Sequence, residues 1–462
     1  MGSEWTLMRL GDVVEQVIDN RGRNPESYSD DGIPVIDNVL IKSQGVVDLS
    51  MTRRFIDQNT YDTFLRKYSE PGDVLLTLVG NGYGQVAITP NETCAIIQNT
   101  IGLRCKEGFS NQYLYYLLKF NIDVLRNLDR GAAQPSIKVG DVLDLGFYFP
   151  NYAHQNTIGG ILYTCDNKIH LNRQINQTLE QMAQALFKSW FIDFDPVVDN
   201  ALDAGFFEQY SDLPEALLRR AEQRKIVRQR PDFTPLPAET RQLFPAAFEA
   251  CEEPSLGLGG WVPQGWELGH LSDIAGYGSK RVDVLNLTVD NYISTENMLP
   301  DRKGVQPASN LPTLNSVPAY TTRYVLVSNI RPYFKKIWLA SGDGGYSNDV
   351  LGFESKNAGD EHFLFNLLYQ DVFFDFMMAT SKGSKMPRGD KKTILSWGLV
   401  IPPLLLRKLF STNVSHFYES MTHRNNECNT LSQLRDTLLP KLIAGELRLN
   451  DNAPAVGASN ND

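Results

Sequence analysis

The chain of 462 residues has few of the residues that build metal sites and disulfide frameworks. Its five cysteines are scattered and never form a C-x-x-C pair, and its six histidines show no metal-ligand spacing. An odd number of scattered cysteines is typical of a reducing compartment. No window holds eighteen consecutive apolar residues and no basic-then-apolar leader opens the chain, so we expect neither a membrane span nor export. The sequence predicts a cytoplasmic protein without a metal site.

Catalytic motifs are also scarce. The chain lacks the tetrapeptide D/N-P-P-Y/F, with which amino-methyltransferases hold a flipped adenine. The stretch DVLGFESK places Asp349, Glu354 and Lys356 in an order similar to that of metal-dependent nucleases, but such short runs are common by chance. The glycines of VGNGYGQ (79–85) suit a phosphate cradle only if a helix follows, and the strand-like run that follows favours a hairpin turn. We predict that the chain is not an enzyme and holds no cofactor.

The distribution of charge matters more than its sum. The net charge of −10 argues against a nucleic-acid partner if the acidic residues are spread evenly. Residues 193–265 contain 7 Lys and Arg against 13 Asp and Glu, whereas residues 266–402 contain 14 of each kind. The largest share of the negative excess therefore lies in one segment. A DNA-binding face is compatible with this distribution as a local basic cluster on a neutral or acidic body.

Two parts of the chain have similar sequences. WTLMRLGDV (5–13) and WELGHLSDI (266–274) share the frame W-x-L-x-x-L-x-D-V/I, 261 residues apart. RGAAQPSIKVGDVLDLGFYFP (130–150) matches KGSKMPRGDKKTILSWGLVIP (382–402) without gaps at an offset of 252 residues. Two unrelated domains with chance similarities are the alternative. The nearly constant offset instead indicates two diverged copies of one unit.

A long helical pattern follows each copy. Apolar residues recur at alternating steps of four and three from Ile158 to Trp190, and adding 252 gives a second seam from Phe410 to Leu442. Each helix runs roughly 36 residues, or about 54 Å, and so narrow an apolar stripe requires a partner helix. We predict an antiparallel pair, the alternative being that each helix packs on its own domain. The seam includes the apolar residues Ile158, Leu162, Ile169, Leu179, Leu186, Val414, Phe417, Met421, Leu431 and Leu438 and the polar, register-fixing residues Asn172, Asn176, Arg424 and Arg435.

Each copy is predicted to mix strands and helices. Runs such as DVLLTLV (73–79) and YVLVSNI (324–330) indicate strands, and QYLYYLL (112–118) and HFLFNLL (362–368) indicate equivalent helices. The predicted fold class is α+β: two similar α/β domains, each followed by a long helix, with the helices paired as an antiparallel coiled coil of pseudo-twofold symmetry. The predicted segments are a first domain (1–150), a first long helix (151–192), a connector with a short basic helix and a proline-rich part (193–265), a second domain (266–402), a second long helix (403–449) and a disordered tail (450–462).

Loops on a rigid scaffold are the usual place for recognition. KGSKMPRGDKK (382–392) is the densest basic cluster of the chain and occupies the place of RGAAQPSIK (130–138) in the first copy. SNIRPYFKK (328–336) interleaves amide, aromatic and cationic side chains, which suit base edges and phosphates. For the basic run of the connector (219–230), nucleic-acid contact is one interpretation and a solvated helix face is the favoured one. The candidate DNA-binding residues are Asn81, Tyr83, Arg130, Gln134, Lys138, Asn329, Arg331, Tyr333, Lys335, Lys336, Lys382, Lys385, Arg388, Lys391 and Lys392.

The sequences at the ends of the two long helices provide further evidence for a protein family. The first helix ends in ALFKSWFIDFDPV (185–197) and the second in TLLPKLIAGELRL (437–449). Together with the repeated frame, these phrases resemble the specificity (S) subunit of type I restriction-modification systems, and the resemblance covers residues 4–450. It implies that each copy is a target-recognition domain that reads one half of a bipartite DNA sequence. The two helices are then the spacer that sets the gap between the half-sites.

The resemblance also implies partners. These are double-stranded DNA, two adenine-N6 methyltransferase subunits and the translocating restriction subunits, and the S-adenosylmethionine, ATP and Mg²⁺ belong to those subunits. The chain itself is then a non-catalytic DNA-specificity subunit. The acidic first copy departs from a basic DNA clamp, which implies that the methyltransferase subunits supply phosphate contacts. The alternatives are a self-contained restriction or modification enzyme with fused recognition domains and a scaffold whose recognition domains have decayed.

Overall fold

The structure is a computed structural model that describes residues 5–22, 25–41, 45–80, 82–129, 135–210, 212–383 and 386–447. The chain divides into two compact units: unit 1 comprises residues 1–174 and 424–462, and unit 2 comprises residues 175–423. Within the described ranges, no helix combines the length and the apolar character needed to span a bilayer. The predicted tail lies outside them.

Unit 1 contains the first copy of the repeat. Its described strands are β1 (Thr6–Arg9), β2 (Val14–Ile18), β3 (Ile33–Ile36), β4 (Phe55–Ile56), β5 (Val74–Thr77), β6 (Val86–Ile88), β7 (Ala95–Ile96), β8 (Thr100–Cys105) and β9 (Gly146–Phe149). Its short helices are α1 (Leu10–Val13), α2 (Gln58–Phe64), α3 (Asn111–Phe120), α4 (Ile122–Arg126) and α5 (Val139–Leu143). The central sheet has the order β2-β8-β5-β6 and is antiparallel, β3 and β7 pair in parallel, and β1 pairs with β9.

The central sheet of unit 1 is covered on both faces. Val74 and Leu76 of β5 belong to the core that includes α3, whereas Leu75 belongs to a second core on the other face. This alternation follows from the two-residue period of a strand. All four residues of β5 are therefore buried, and its first three, Val74, Leu75 and Leu76, are apolar, since a strand buried on both faces has no solvent-facing positions.

The first long helix, α6 (Tyr152–Phe187), continues as a π-helical turn (Lys188–Ile192) and leads into the connector. The connector forms α7 (Asp195–Asp203), α8 (Phe206–Gln209), α9 (Glu215–Arg228), α10 (Ala238–Arg241) and the hairpin β10 (Phe248–Ala250) with β11 (Trp261–Pro263). It contains more helices and strands than the single short helix and proline-rich part that the sequence predicted. Its buried residues, among them Val197, Leu217 and Phe248, join the main core of unit 2.

The basic helix of the connector is paired with carboxylates. Arg220 of α9 binds Asp195 of α7, Arg224 binds Asp199 at 2.5 Å, and Arg228 Nη2 lies 2.5 Å from Asp203. A ladder of ion pairs at four-residue spacing therefore occupies this face of α9. These three arginines stabilise the packing of α9 on α7 and are neither the solvated face nor the nucleic-acid contact considered from the sequence.

The second copy of the repeat follows in unit 2. Its strands are β12 (Glu267–His270), β13 (Ala275–Tyr277), β14 (Arg281–Asp283), β15 (Tyr292–Ile293), β16 (Ser316–Tyr320), β17 (Val325–Ser328), β18 (Ile337–Leu339), β19 (Gly344–Tyr346), β20 (Val350–Ser355), β21 (Ser381–Lys382), β22 (Arg388–Gly389) and β23 (Gly398–Ile401). Its helices are α11 (Leu271–Ile274), α12 (Glu361–Leu368), α13 (Asp371–Ala379), α14 (Lys391–Leu395) and the second long helix α15 (Leu404–Ile443).

The two copies share a common core topology, and the second sheet has three strands in unit 1 (β4-β3-β7) and four in unit 2 (β14-β16-β19-β15). The sheet β13-β20-β17-β18 repeats the order β2-β8-β5-β6, the parallel pair β15/β19 repeats β3/β7, and β12/β23 repeats β1/β9. Val325 and Val327 face the main core and Leu326 faces another, as in β5. The duplication inferred from the sequence is therefore present in the fold.

The long helices run antiparallel to each other within each unit. In unit 1, Asp166 forms an ion pair with Arg435, and Asn172 Nδ2 donates to Glu427 at 2.7 Å. In unit 2, Asn176 Nδ2 donates to the Met421 carbonyl at 3.4 Å, and the Phe187 ring packs 5.6 Å from the Phe410 ring. Partner numbers fall along α15 as they rise along α6, which confirms the predicted antiparallel pair. Of the apolar seam residues, Ile158, Leu162, Ile169 and Val414 are buried, and Leu179, Leu186, Phe417, Met421, Leu431 and Leu438 are half-buried.

The tryptophan of the repeated frame packs at a helix end in each unit. A Cβ on Gly445, just after α15, would lie 2.8 Å from the Trp5 ring. In unit 2, the buried Trp266 ring lies 5.6 Å from the Phe194 ring, just after α6. Both Gly445 and Phe194 have a left-handed backbone that ends the helix. The frame therefore begins a domain and packs on the helix that follows the other copy.

Candidate nucleic-acid interface

Four segments of unit 1 meet at one end of its central sheet. Val79, beyond β5, forms a β-bridge with Ser136, and the Gly80 amide donates to the Pro135 carbonyl at 3.1 Å. Asn38 Nδ2 donates to the Val79 carbonyl at 2.9 Å, and its Oδ1 accepts from Thr100 at 3.1 Å. The glycine-rich loop 79–85 closes the hairpin β5/β6, which confirms the predicted hairpin turn.

Unit 2 repeats this arrangement with different side chains. Ile330 forms a β-bridge with Arg388, and the Arg331 amide donates to the Pro387 carbonyl at 3.0 Å. Asn329 Nδ2 donates to the Gly389 carbonyl, and the Gly389 amide donates back to Asn329 Oδ1, each at 3.1 Å. Residues 328–336 and 386–392, which belong to two segments that the sequence indicated separately, thus lie side by side. We call residues 329–336 with 386–392 the basic loop pair.

Three of the candidate residues in the basic loop pair hold the loops in place. Asn329 is buried and both ends of its amide are bonded to Gly389. Lys335 Nζ lies 2.7 Å from Asp371, and Lys336 Nζ donates to the Thr295 carbonyl at 2.6 Å. Since these polar groups are already engaged, their role in the structure is to position the loops. The sequence could not distinguish this role from DNA contact.

Other candidates present cations to solvent. Arg388 is exposed and lies 3.2 Å from the exposed Asp349. Lys391 Nζ lies 5.8 Å from the Tyr277 ring centre, and burial raises the pKa of the Tyr277 hydroxyl. Lys382 and Lys392 are exposed, with no ion pair in the described part of the chain. These cations can bind a polyanion without breaking contacts that hold the fold together.

Two exposed residues stand at the turn of the β17/β18 hairpin. Arg331 is the N-cap of a single 3₁₀ turn (Pro332–Phe334), and Tyr333 is the middle residue of that turn. The Tyr333 and Phe334 rings lie 4.6 Å apart. An exposed guanidinium beside exposed rings provides both hydrogen-bond donors and stacking surfaces for bases.

In unit 1, only two of the candidate DNA-binding residues lie within the described residues. Tyr83 is half-buried and its carbonyl accepts from Arg126 Nε at 3.4 Å. Lys138 is exposed at the N-cap of α5. The candidates Asn81, Arg130, Gln134 and, in unit 2, Lys385 lie outside the described residues. The described end of the unit 1 sheet therefore carries less positive charge than that of unit 2.

The sequence missed a polar cluster at the same end of unit 1. Arg54 lies 3.3 Å from Asp37 and 5.1 Å above the Tyr28 ring, and Gln98 Nε2 donates to the Tyr28 hydroxyl at 3.1 Å. Gln98 has a left-handed backbone, with φ of 66°. Burial raises the pKa of Tyr28. No local pattern joins four residues that are far apart in the chain, so sequence reasoning had no signal for this cluster.

The acidic residues that are similar to a nuclease motif have separate partners. Asp349 pairs with Arg388, whereas Glu354 accepts from the Tyr324 hydroxyl at 2.7 Å. Within the described ranges, no three His, Cys, Asp or Glu side chains cluster as metal ligands would. The structure therefore offers no geometry in support of that motif.

Comparisons with known proteins find similarity to type I restriction-modification specificity subunits. A family model for the type I restriction modification DNA specificity domain matches residues 2–181. The chain is 25% identical over 416 residues to the type I restriction enzyme HindI specificity subunit of Haemophilus influenzae, covering 83% of this chain and 88% of the relative. It is 22% identical over 470 residues to the MjaIX specificity subunit of Methanocaldococcus jannaschii, covering 97% and 94%.

A solved structure has the same fold. The crystal structure of the type I restriction-modification S subunit from M. genitalium superposes with a TM-score of 0.57. The alignment covers 96% of each chain at 14% sequence identity. At this identity the likeness concerns the fold alone, and that fold extends over both copies of the repeat and both long helices.

Proposed function

We propose that the chain, which is similar to type I restriction-modification specificity subunits, reads a bipartite sequence in double-stranded DNA. Each copy of the repeat reads one half-site, and the helices α6 and α15 set the gap between the half-sites. The chain contributes no catalytic group. Methylation and cleavage are carried out by partner subunits, which bind S-adenosylmethionine, ATP and Mg²⁺.

One observation carries this proposal: the same loop junction occurs in both units with different side chains. Gly80 and Ser136 in unit 1 correspond to Arg331 and Arg388 in unit 2, while the hydrogen bond and the bridge that join the loops are kept. Two domains that recognise two different half-sites require the same loop scaffold with different side chains on it. A scaffold with decayed domains has no reason to retain two ordered loop junctions.

Phosphate contact is shared unequally in this proposal. In unit 2, Lys382, Lys391 and Lys392 are exposed and are suited to phosphates. Unit 1 offers Lys138 and the partly neutralised Arg54 at the corresponding end. We therefore assign more of the phosphate contact over the first half-site to the methyltransferase subunits.

The helix α6 offers a docking surface for those subunits. Ile175 and Met182 are 40% and 49% exposed, and their spacing of seven residues places them on one helical face. Between residues 171 and 187 the helix carries two charged residues, Arg173 and Glu180. Exposed Met and aliphatic side chains with few charges are typical of the centre of a protein interface. This surface supports the docking of methyltransferase subunits.

The docking assignment is tested by Ile175→Glu and Met182→Glu. We expect at least tenfold weaker retention of the methyltransferase subunits in co-purification, because a buried carboxylate is costly in an apolar interface. Gln181→Glu, an exposed neighbour that adds the same charge, is the control. If all three variants retain the subunits equally, this face of α6 is not the docking surface.

The spacer assignment is tested by lengthening both helices together. Seven-residue insertions between Gln174 and Ile175 and between His423 and Arg424 add one heptad at the two points where the helices pass from one unit to the other. Each helix gains about 10 Å, which corresponds to about three base pairs at 3.4 Å per pair. Methylated adenines mapped after exposure to the reconstituted complex should show the same half-sites with a wider gap.

Two outcomes would contradict the proposal. Altered half-site bases with an unchanged gap would show that the helices are not the spacer. Methylation or cleavage of DNA by the chain alone, at a constant ratio to the protein through purification, would favour the self-contained enzyme instead.

A further inference from the structure

One corner of unit 2 concentrates unusual backbone geometry. Seven non-glycine residues in the described part of the chain have a positive φ, and four of them, Asp301, Arg302, Arg331 and Lys335, meet here. The Asp301 amide donates to the Phe334 carbonyl at 2.8 Å, and the Arg302 amide donates to the Lys335 carbonyl at 3.0 Å. Left-handed backbone costs free energy for a residue with a Cβ. Such residues cluster where a function depends on one particular conformation.

The strained loop is braced from behind. Asp371, at the start of α13, binds both Lys335 and Arg302. Arg302 Nε donates to the Tyr369 carbonyl at 2.9 Å, and its guanidinium lies 4.8 Å above the Tyr369 ring. With Asn329 fixed to Gly389 on the other side, the turn is attached at both ends. A loop attached in this way presents its outer side chains in a preset geometry.

Arg331 is the side chain that this geometry presents. Its amide donates to the Pro387 carbonyl at 3.0 Å, and its carbonyl accepts from the Phe334 amide at 3.0 Å, so its backbone is held on both sides. Its side chain is exposed and forms no hydrogen bond or ion pair with the described residues. Neighbouring Lys335, Lys336 and Arg388 all have partners. The guanidinium is thus available to a ligand while its Cα is fixed.

The first copy of the repeat shows that an arginine is not needed at this position for the fold. Gly80, which makes the equivalent hydrogen bond to Pro135, has φ of 91°, and Arg331 has φ of 51°. Glycine adopts this conformation without a steric penalty, whereas arginine does not. An arginine kept in a place where glycine serves the fold indicates a role for its side chain.

We propose that Arg331 reads a guanine in the half-site of unit 2 by two hydrogen bonds to its O6 and N7. The proposal rests on the function proposed above and adds the class of base pair and the residue. Guanine offers these two acceptors side by side in the major groove, and a guanidinium is a planar, rigid match. A phosphate contact does not need such fixed presentation, and the exposed Lys382 and Lys392 provide it.

The test compares Arg331→Gly, Arg331→Lys and Lys392→Ala in the complex reconstituted with methyltransferase subunits. Arg331→Gly installs the residue of the other copy and relieves the backbone, so its melting temperature should equal or exceed that of the parent protein. Selection from a DNA library randomised at the target should show a loss of about 10- to 100-fold in the preference for guanine at one position. Arg331→Lys keeps the charge and should lose the same preference, because it lacks the planar pair of donors.

The remaining outcomes are distinct. Lys392→Ala should weaken binding to every sequence equally, without altering any base preference. If Arg331→Gly weakens binding to all sequences and leaves every preference unchanged, Arg331 contacts phosphate and the inference is wrong. If both Arg331 variants bind and select as the parent does, Arg331 reads nothing. If the parent complex selects no sequence at all, the proposed function fails first.

Discussion

The two units attach their domain to the long helices at equivalent places with different chemistry. Near the start of α6, Gln155 Oε1 accepts from the Ser110 amide at 3.1 Å. At the start of α15, the matching residues are Arg407 and Asp360, a buried ion pair of 2.6 Å. The correspondence follows the same offsets of 252 and 250 residues that define the repeat. A neutral contact in one copy is therefore a buried ion pair in the other.

Further along the helices the two chemistries are exchanged. In unit 1, Asp166 pairs with Arg435 and accepts from the Tyr116 hydroxyl at 2.8 Å. In unit 2, Tyr418 occupies the position of Asp166, and Asn366 occupies that of Tyr116. The Tyr418 hydroxyl donates to Asn366 Oδ1 at 3.0 Å, and Gln184 Nε2 donates to the same oxygen at 2.7 Å. Each unit thus has one charged and one neutral attachment, at opposite positions. The fold fixes where a polar group is needed, and sequence divergence decides which pair fills the place.

The largest expected effect comes from breaking the charged attachment of unit 2. Arg407→Gln leaves Asp360 buried without its cation and should lower the free energy of unfolding by about 3 to 5 kcal/mol. Burial already raises the pKa of Asp360, which shows how costly its charge is in this place. The double variant Arg407→Gln with Asp360→Ser copies unit 1 and should lose about 1 kcal/mol or less, since no charge remains buried. Equal losses in the single and double variants, measured by denaturant unfolding, would show that the ion pair is not the origin of the effect.

The next largest expected effect is a pH-dependent difference in stability between the two units. Unit 2 has the buried His362 where unit 1 has Gln112, and burial lowers the pKa of His362 to about 4. Because the unfolded chain binds a proton near pH 6.5 and the folded chain does not, stability is present at neutral pH and is lost as the pH falls from about 6.5 to 4. Between pH 7 and pH 4.5 this group should remove about 2 to 3 kcal/mol from the free energy of unfolding.

His362→Gln copies the unit 1 residue and should make the acid-induced loss of stability smaller by that amount. His423→Gln, at an exposed position of α15 in the same unit, is the control. Thermal or denaturant unfolding at the two pH values gives the comparison. An unchanged pH dependence in His362→Gln would assign the acid sensitivity to other groups.

The smallest effect concerns DNA affinity and separates the two recognition surfaces. Lys392→Ala in unit 2 should lower the slope of log affinity against log salt by about one, as expected for one lost phosphate contact. Lys138→Ala in unit 1 should change the slope by less than half as much, if partner subunits cover the first half-site. Lys225→Ala, on the connector helix α9 next to Glu222, is the control. A slope lowered equally by all three variants would indicate a general effect of charge.

Sequence reasoning succeeded where one element carries the whole signal. The heptad spacing from Ile158 to Trp190 predicted a long helix because each residue of the seam contributes to the same stripe, and α6 begins and ends near the predicted residues. The glycine-rich loop 79–85 was predicted as a hairpin turn because a strand-like run follows it. These patterns are local, so they need no knowledge of distant partners.

The ion-pair ladder of the connector is an intermediate case. Asp195, Asp199 and Asp203 recur at steps of four, and Arg220, Arg224 and Arg228 do the same 25 residues later. The sequence therefore contains a signal for two paired helices, which becomes visible only when the aspartates and the arginines are compared with each other. The roles of Asn329 and Lys335 had no such signal, since their partners Gly389 and Asp371 are remote in the chain.

By itself, the sequence determined the duplication, the long helix after each copy and the antiparallel helix pair, because repeated motifs and apolar periodicity reflect which side chains each element buries. The tertiary structure alone decided which candidate side chains are free to meet DNA. Long-range contacts engage Asn329, Lys335 and Lys336 in holding the loops and leave Arg331 exposed on a fixed, left-handed backbone. Whether a polar side chain is engaged depends on the groups that folding brings next to it, and neighbours in the chain do not contain that information.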